Sequence, residues 1–172
     1  KTVVTFLDLV GDTVFGCGTI RQGNQQWPFY FKLNAQTGTP YWSKYDLVSD
    51  GFFSSMRYAN GKYFLVGSIY APGQSILGKV LAVSSQTGNP VWETPLMYGV
   101  MPNAVFSAGG ATTFLSSTEL YNGKFYVTGY AFPSATMSGS ATNVGYYSRP
   151  LLVGITENGT VFMEKWLNMP QV

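Results

Sequence analysis

The sequence predicts an all-β chain: three four-stranded antiparallel blades of a β-propeller. Three observations carry this. Two turn-centred motifs alternate three times in strict order along the 172 residues. Each motif reads as a β-hairpin, with a Gly-containing turn between β-branched and aromatic runs. No segment shows a sustained 3.6-residue apolar period, so almost no helix is expected.

The first motif is Gln36-Thr37-Gly38-Thr39-Pro40-Tyr41-Trp42, repeated without a gap as Gln86-Thr87-Gly88-Asn89-Pro90-Val91-Trp92, 50 residues later. A degenerate copy, Glu157-Asn158-Gly159-Thr160-Val161-Phe162-Met163, follows 71 residues further on. The second motif is Tyr58-Ala59-Asn60-Gly61-Lys62-Tyr63-Phe64-Leu65-Val66-Gly67. It matches Leu120-Tyr121-Asn122-Gly123-Lys124-Phe125-Tyr126-Val127-Thr128-Gly129 closely and residues 10–18 loosely. Asn60-Gly61 and Asn122-Gly123 suit two-residue turns between a first and a second strand. Thr37-Gly38, Thr87-Gly88 and Asn158-Gly159 suit turns between a third and a fourth. Four short strands at a period of about 50 residues is the signature of a propeller blade.

Blade one is expected over 1–48, with strands Thr2–Val10, Thr13–Ile20, Pro28–Asn34 and Pro40–Asp46. Blade two spans 49–98, with Phe52–Tyr58, Lys62–Tyr70, Lys79–Ser84 and Pro90–Pro95. Blade three spans 99–172, with Thr112–Leu120, Lys124–Phe132, Pro150–Thr156 and Thr160–Leu167. Two insertions, 98–111 and 133–148, lengthen blade three. Both are rich in small residues and carry Tyr98, Tyr146 and Tyr147, candidate contacts for a glycan or a protein partner.

A resemblance follows from Phe31-Lys32-Leu33-Asn34, Thr37-Gly38, Trp42-Ser43-Lys44 and residues 60–67. These resemble the SBBP-like β-propeller repeat family of secreted and surface proteins, across all three blades. The resemblance implies a fold and no activity. A second likeness is to the tryptophan-docking motif of quinoprotein propellers. It is carried by Ala82, Ser84, Gly88 and Trp92, with Ser84 where Asp is usual. Lys32, Asn34, Gly38 and Trp42 have the same spacing. It implies that Trp42 and Trp92 pack on a neighbouring blade and that Gly38 and Gly88 permit close approach. Met163 stands where blade three should have its Trp. Some quinoprotein propellers bind pyrroloquinoline quinone with calcium. No acidic cluster here matches such a site, so no cofactor and no metal are expected.

Composition narrows the function classes. Histidine is absent, which removes Ser-His-Asp and Cys-His catalysis. The single cysteine, Cys17, cannot build a thiolate zinc site and reads as a small buried residue. The ten basic residues are scattered, without the patch of a nucleic-acid binder. No apolar run approaches the roughly 20 residues of a membrane-spanning helix. The carboxylates are Asp8, Asp12, Asp46, Asp50, Glu93, Glu119, Glu157 and Glu164. Asp8, Asp12, Asp50 and Glu119 lie near predicted first strands, where a glycosidase pair would sit about 5–10 Å apart. They also read as solvated turn residues. Trp27, Tyr30 and Tyr70, near strand ends, suit either sugar stacking or packing.

Charged residues make up 10% of the chain, against about 25% in a typical soluble domain. That style of surface suits an extracellular or cell-surface protein, periplasmic if bacterial. Asn158-Gly159-Thr160 is an N-glycosylation acceptor sequence. The chain starts at Lys1 without Met and ends just past a fourth strand, so a piece of a larger ring is expected. Closure would come from further blades of a parent chain or from a homo-oligomer. The leading expectation is a non-catalytic structural or protein-interaction module. The alternatives are a segment of a quinoprotein dehydrogenase or glycan-active hydrolase, and a carbohydrate-binding lectin.

Overall fold

The computed structural model describes residues 1–46, 50–70, 76–96, 112–132 and 149–167. These form strands β1 (Thr2–Val10), β2 (Thr13–Gln22), β3 (Gln25–Asn34), β4 (Pro40–Tyr45), β5 (Asp50–Ala59), β6 (Lys62–Tyr70), β7 (Ile76–Ser84), β8 (Pro90–Leu96), β9 (Thr112–Tyr121), β10 (Lys124–Phe132), β11 (Arg149–Ile155) and β12 (Val161–Trp166). They pair as three four-stranded antiparallel meanders, β1–β4, β5–β8 and β9–β12. This is the blade arrangement that the repeat predicts. No helix occurs among the described residues. Both insertions, with Tyr98, Tyr146 and Tyr147, lie outside the described residues.

Turn chemistry sets the hairpins. Asn60 (φ 49°) with Gly61 (φ 74°), and Asn122 (φ 49°) with Gly123 (φ 70°), place two consecutive left-handed residues between paired strands. That backbone matches the strand twist, and Asn-Gly supplies it at the lowest steric cost. β3 starts three residues earlier than expected. Gly23-Asn24 forms a further two-residue turn, with Gln22 opposite Gln25.

Each first strand carries a β-bulge, at Thr5, Ser54 and Ser116, where the register with the second strand slips. The bulge drives the preceding carbonyl toward the second strand. A Cβ on Gly18 would come within 2.0 Å of the Val3 oxygen, and one on Gly67 within 2.0 Å of the Phe52 oxygen. The glycine that ends the second motif is therefore required by the bulge opposite it.

Sheets stack through two apolar cores. Phe15, Cys17 and Tyr30 of the first sheet pack with Phe53, Met56, Tyr63, Leu65, Leu81 and Val83 of the second. Phe64, Val66, Val80 and Ala82 pack with Leu115, Phe125, Val127, Leu151, Val153 and Ile155 of the third. Alternate residues of β6 and β7 thus serve opposite cores. This is why both strands read as nearly unbroken apolar runs.

Candidate functional site

Each fourth strand also bulges, at Tyr41, Val91 and Phe162, which sets Trp42 opposite Lys32, Trp92 opposite Ala82 and Met163 opposite Gly154. From there each tryptophan reaches the β3–β4-type turn of the following sheet. A Cβ on Gly88 would come within 2.8 Å of the Trp42 ring, and one on Gly159 within 2.9 Å of the Trp92 ring. Both glycines also hold positive φ, +70° and +88°. The Trp92 indole Nε1 donates to the Glu157 carbonyl at 2.8 Å, whereas the Trp42 Nε1 is buried without a partner.

The turns that receive these rings are capped from within. Asn34 Oδ1 accepts from the Gln36 and Thr37 amides at 2.9 Å. Ser84 Oγ takes the same position toward Gln86 and Thr87. Thr156 Oγ1 accepts from the Thr160 amide at 3.1 Å in the third turn, which is one residue shorter. So Ser84 and Thr156 fill the capping position that Asn34 fills in the first sheet. Asn158 is exposed on this third turn, its Oδ1 held by the Thr156 hydroxyl.

Further polar groups cross the junctions. Thr5 Oγ1 donates to the Phe53 carbonyl at 2.5 Å, and Ser54 Oγ donates to the Leu115 carbonyl at 2.7 Å. Both hydroxyls stand on bulge residues, poised between their own second strand and the next sheet. Tyr30 donates to the Gly88 carbonyl at 3.1 Å and Thr94 to the Gly159 carbonyl at 2.8 Å. Lys32, standing where the docking motif has a small residue, sends its Nζ to the Ser85 carbonyl at 3.1 Å. The bridging hydroxyls were not singled out by sequence reading. Each stands 13 positions ahead of the second-strand glycine (Thr5 and Gly18, Ser54 and Gly67), as the non-bridging Ser116 does before Gly129, and that spacing was the available signal.

Asp8, Asp46, Asp50, Glu93, Glu119 and Glu157 have structural partners. Lys79, itself buried, lies 2.9 Å from Glu93 and 3.6 Å from Asp46. Asp50 accepts from the Gln26 amide and Asp8 from the Leu9 amide. The Asn60 amide donates to Glu157. Arg57 bonds Glu119 at 2.6 Å and stacks 5.4 Å from the Phe6 ring. The hydrogen bond from Arg57 holds the Glu119 carboxyl below the ordinary carboxylate range. The same bond, with the Asp8 charge as a smaller contributor, raises Arg57. Glu119 is thereby kept ionised, the opposite of a glycosidase acid held protonated. Burial pushes the Cys17 thiol up to about 12, which suits a packing residue and not a nucleophile. Tyr30 is buried in the first core, and burial followed by the Asp46 charge pushes its phenol up to about 12. Of its two sequence readings, the structure places Tyr30 in packing. Trp27 and Tyr70 are half-buried. Among the described residues no three His, Cys, Asp or Glu side chains group as metal ligands.

No family model matches the chain. No curated protein matches it either. Among solved structures, the chain is similar to BamB from Moraxella catarrhalis, at 13% identity over 96% of this chain and 77% of that one, with a TM-score of 0.33.

Proposed function

We propose that the chain is a non-catalytic β-propeller module that binds other proteins, acting at the cell surface or outside the cell, or in the periplasm if bacterial. The observation that carries this reading is how the repeat spends its chemistry. Both junctions use the same tryptophan, turn glycine and bulge hydroxyl to join one sheet to the next. The first-strand charges Arg57 and Glu119 neutralise each other across the second junction. Chemistry-bearing side chains at repeated positions therefore build a scaffold, and a scaffold of this kind presents partners with its loops. We assign partner contact to the insertions at 98–111 and 133–148, with Tyr98, Tyr146 and Tyr147 as anchors. Aromatic anchors are the residues most enriched at interface centres. The sparse charge supports the non-cytoplasmic assignment, and exposed Asn158 is its proposed glycosylation site.

The test places a photo-crosslinking amino acid at Tyr98, Tyr146 or Tyr147, with Tyr45 as an exposed control outside the insertions. Irradiation of producing cells should give a discrete protein adduct from the insertion positions and none from Tyr45. Absence of adducts at all three positions defeats the assignment. Glycoside turnover abolished by Asp8→Asn or Glu119→Gln would defeat the non-catalytic reading.

A further inference from the structure

The far face of the first sheet repeats most of the face that the second sheet buries against the first, with Gly16 in the place of Leu65, where the Phe31 ring and the Leu7 side chain lie over the glycine. Leu7, Val14, Phe31 and Leu33 correspond to Met56, Tyr63, Leu81 and Val83, counted from the bulge and from the turns. Those four residues of the second sheet are in the core, and Met56 is 0% exposed. Leu7 is 59% exposed, and Val4 at the bulge is 44% exposed. Gly38 corresponds to Gly88 and has the same φ of +70°. Gly88 is covered by Trp42, but nothing lies within 4 Å of a Cβ built on Gly38. Val4 corresponds to Phe53, whose carbonyl receives the Thr5 hydroxyl. The first sheet therefore carries a receiving surface with an apolar face, a turn glycine and a bulge carbonyl, on which Val14, Phe31 and Leu33 are half-buried.

We propose that this face docks a further blade of the same repeat, which lays a tryptophan from its fourth strand on Gly38 and brings a Ser or Thr hydroxyl from its first strand to the Val4 carbonyl. The proposal rests on the interaction-module reading and names one partner for it. Charge selects the occupant. Asp8, Arg57 and Glu119 each stand three residues past the first-strand bulge residue (Thr5, Ser54 and Ser116), and their signs alternate along the stack. Arg57 is bonded to Glu119 on one side and feels Asp8 on the other. A blade docking beside Asp8 continues the alternation with Arg or Lys at that position.

A second copy presenting its third sheet is a poor match. It would set Glu119 beside Asp8. It would offer Met163 in place of tryptophan. It would also bring exposed Thr128 to the level where Cys17 and Val66 are buried. The second sheet of this chain carries all the required groups, in Ser54, Arg57 and Trp92.

The second sheet is therefore the probe. Residues 50–96 are duplicated ahead of Lys1, joined through a copy of residues 46–49, and thermal unfolding is followed in the extended and the 172-residue chains. Gly38→Asn keeps a residue that tolerates positive φ but obstructs the turn. Leu7→Asn makes the face polar. In the 172-residue chain both positions are open, and each variant should move Tm by less than about 2 °C. In the extended chain each should lower Tm by about 3 °C or more. Trp92→Ala in the added copy should then make Gly38→Asn nearly silent. Equal shifts in the two chains, or no coupling to the added Trp92, overturn the proposal. So does sedimentation of the 172-residue chain as a dimer that Gly38→Asn dissolves, because the occupant is then a second copy. If coupling is missing while the crosslinks at Tyr98, Tyr146 or Tyr147 persist, the docking face falls and the interaction-module reading stands.

Discussion

Trp42 and Trp92 hold the same repeat position and lie on the same turn glycine of the following sheet, yet their indole N–H groups differ. Trp92 donates to the Glu157 carbonyl, while the Trp42 Nε1 is buried without a partner. A hydrogen bond adds about 1 kcal/mol net, and leaving its buried acceptor unpaired costs about 1–3 kcal/mol. Trp92→Phe therefore loses both ring volume and this bond. Trp42→Phe loses ring volume and relieves an unsatisfied donor. Trp92→Phe should be the more destabilising by at least about 1 kcal/mol in urea unfolding, and equal or reversed costs would refute the assignment. The docking pair was legible in the sequence because Gly and Trp recur at fixed spacing. The inequality was not, because it depends on the shorter third turn, which presents a carbonyl to the indole.

Among elements, the first-strand bulge has the widest consequences. It turns one hydroxyl out of the ladder toward the next sheet and forces glycine on the second strand opposite it. Ser54 lies 2.7 Å from the Leu115 carbonyl across the junction and 3.1 Å from the Val66 carbonyl within its own sheet. Ser116 is the internal comparison, lying 3.2 Å from the Thr128 carbonyl of its own sheet and exposed. Ser54→Ala should cost about 1–2 kcal/mol, because it strands a part-buried carbonyl at an interface. Ser116→Ala should stay within about 0.5 kcal/mol, as exposed substitutions do. Similar values for the two would mean that the bridge across the junction adds nothing to the local bond. The hairpins around the bulge were readable, since Asn-Gly between aromatic and β-branched runs has one low-strain outcome. The bulge itself was hidden, because a slip of one residue leaves the apolar pattern on either side intact. The start of β3 was misplaced for a related reason. Pro28 looks like a strand boundary, yet it lies within β3 opposite Thr19, and Gly23-Asn24 makes the turn.

At the scale of the whole molecule, the three sheets form a stack in which, among the described residues, the apolar cores join each sheet only to its neighbours, so the middle sheet is covered on both faces and the end sheets on one. The fold was legible because the repeat dictates sheets and their order. The exposure of the end faces was legible only as the expectation that three blades are a piece of a larger ring. Which side groups would line them required the alternation of β6 and β7 to be traced into two cores. This layering predicts an order of local stability. Backbone hydrogen bonds are made throughout the sheets, so pairing alone would protect every ladder amide alike. Exchange is instead governed by the opening free energy of each segment, which grows with the apolar surface that opening exposes. β6 and β7 are buried along most of their length, whereas β1, β4 and β12 alternate between half-buried and exposed. Native-state hydrogen exchange should therefore find the slowest amides in β6 and β7. β4 and β12, each bonded on one side to its own sheet and poorly covered, should exchange at least about tenfold faster, a gap that needs only about 1.4 kcal/mol of local opening energy. β1 should join the fast class in the 172-residue chain. Uniform protection across the twelve strands would mean that the molecule opens as one unit, and the nearest-neighbour description would then fail.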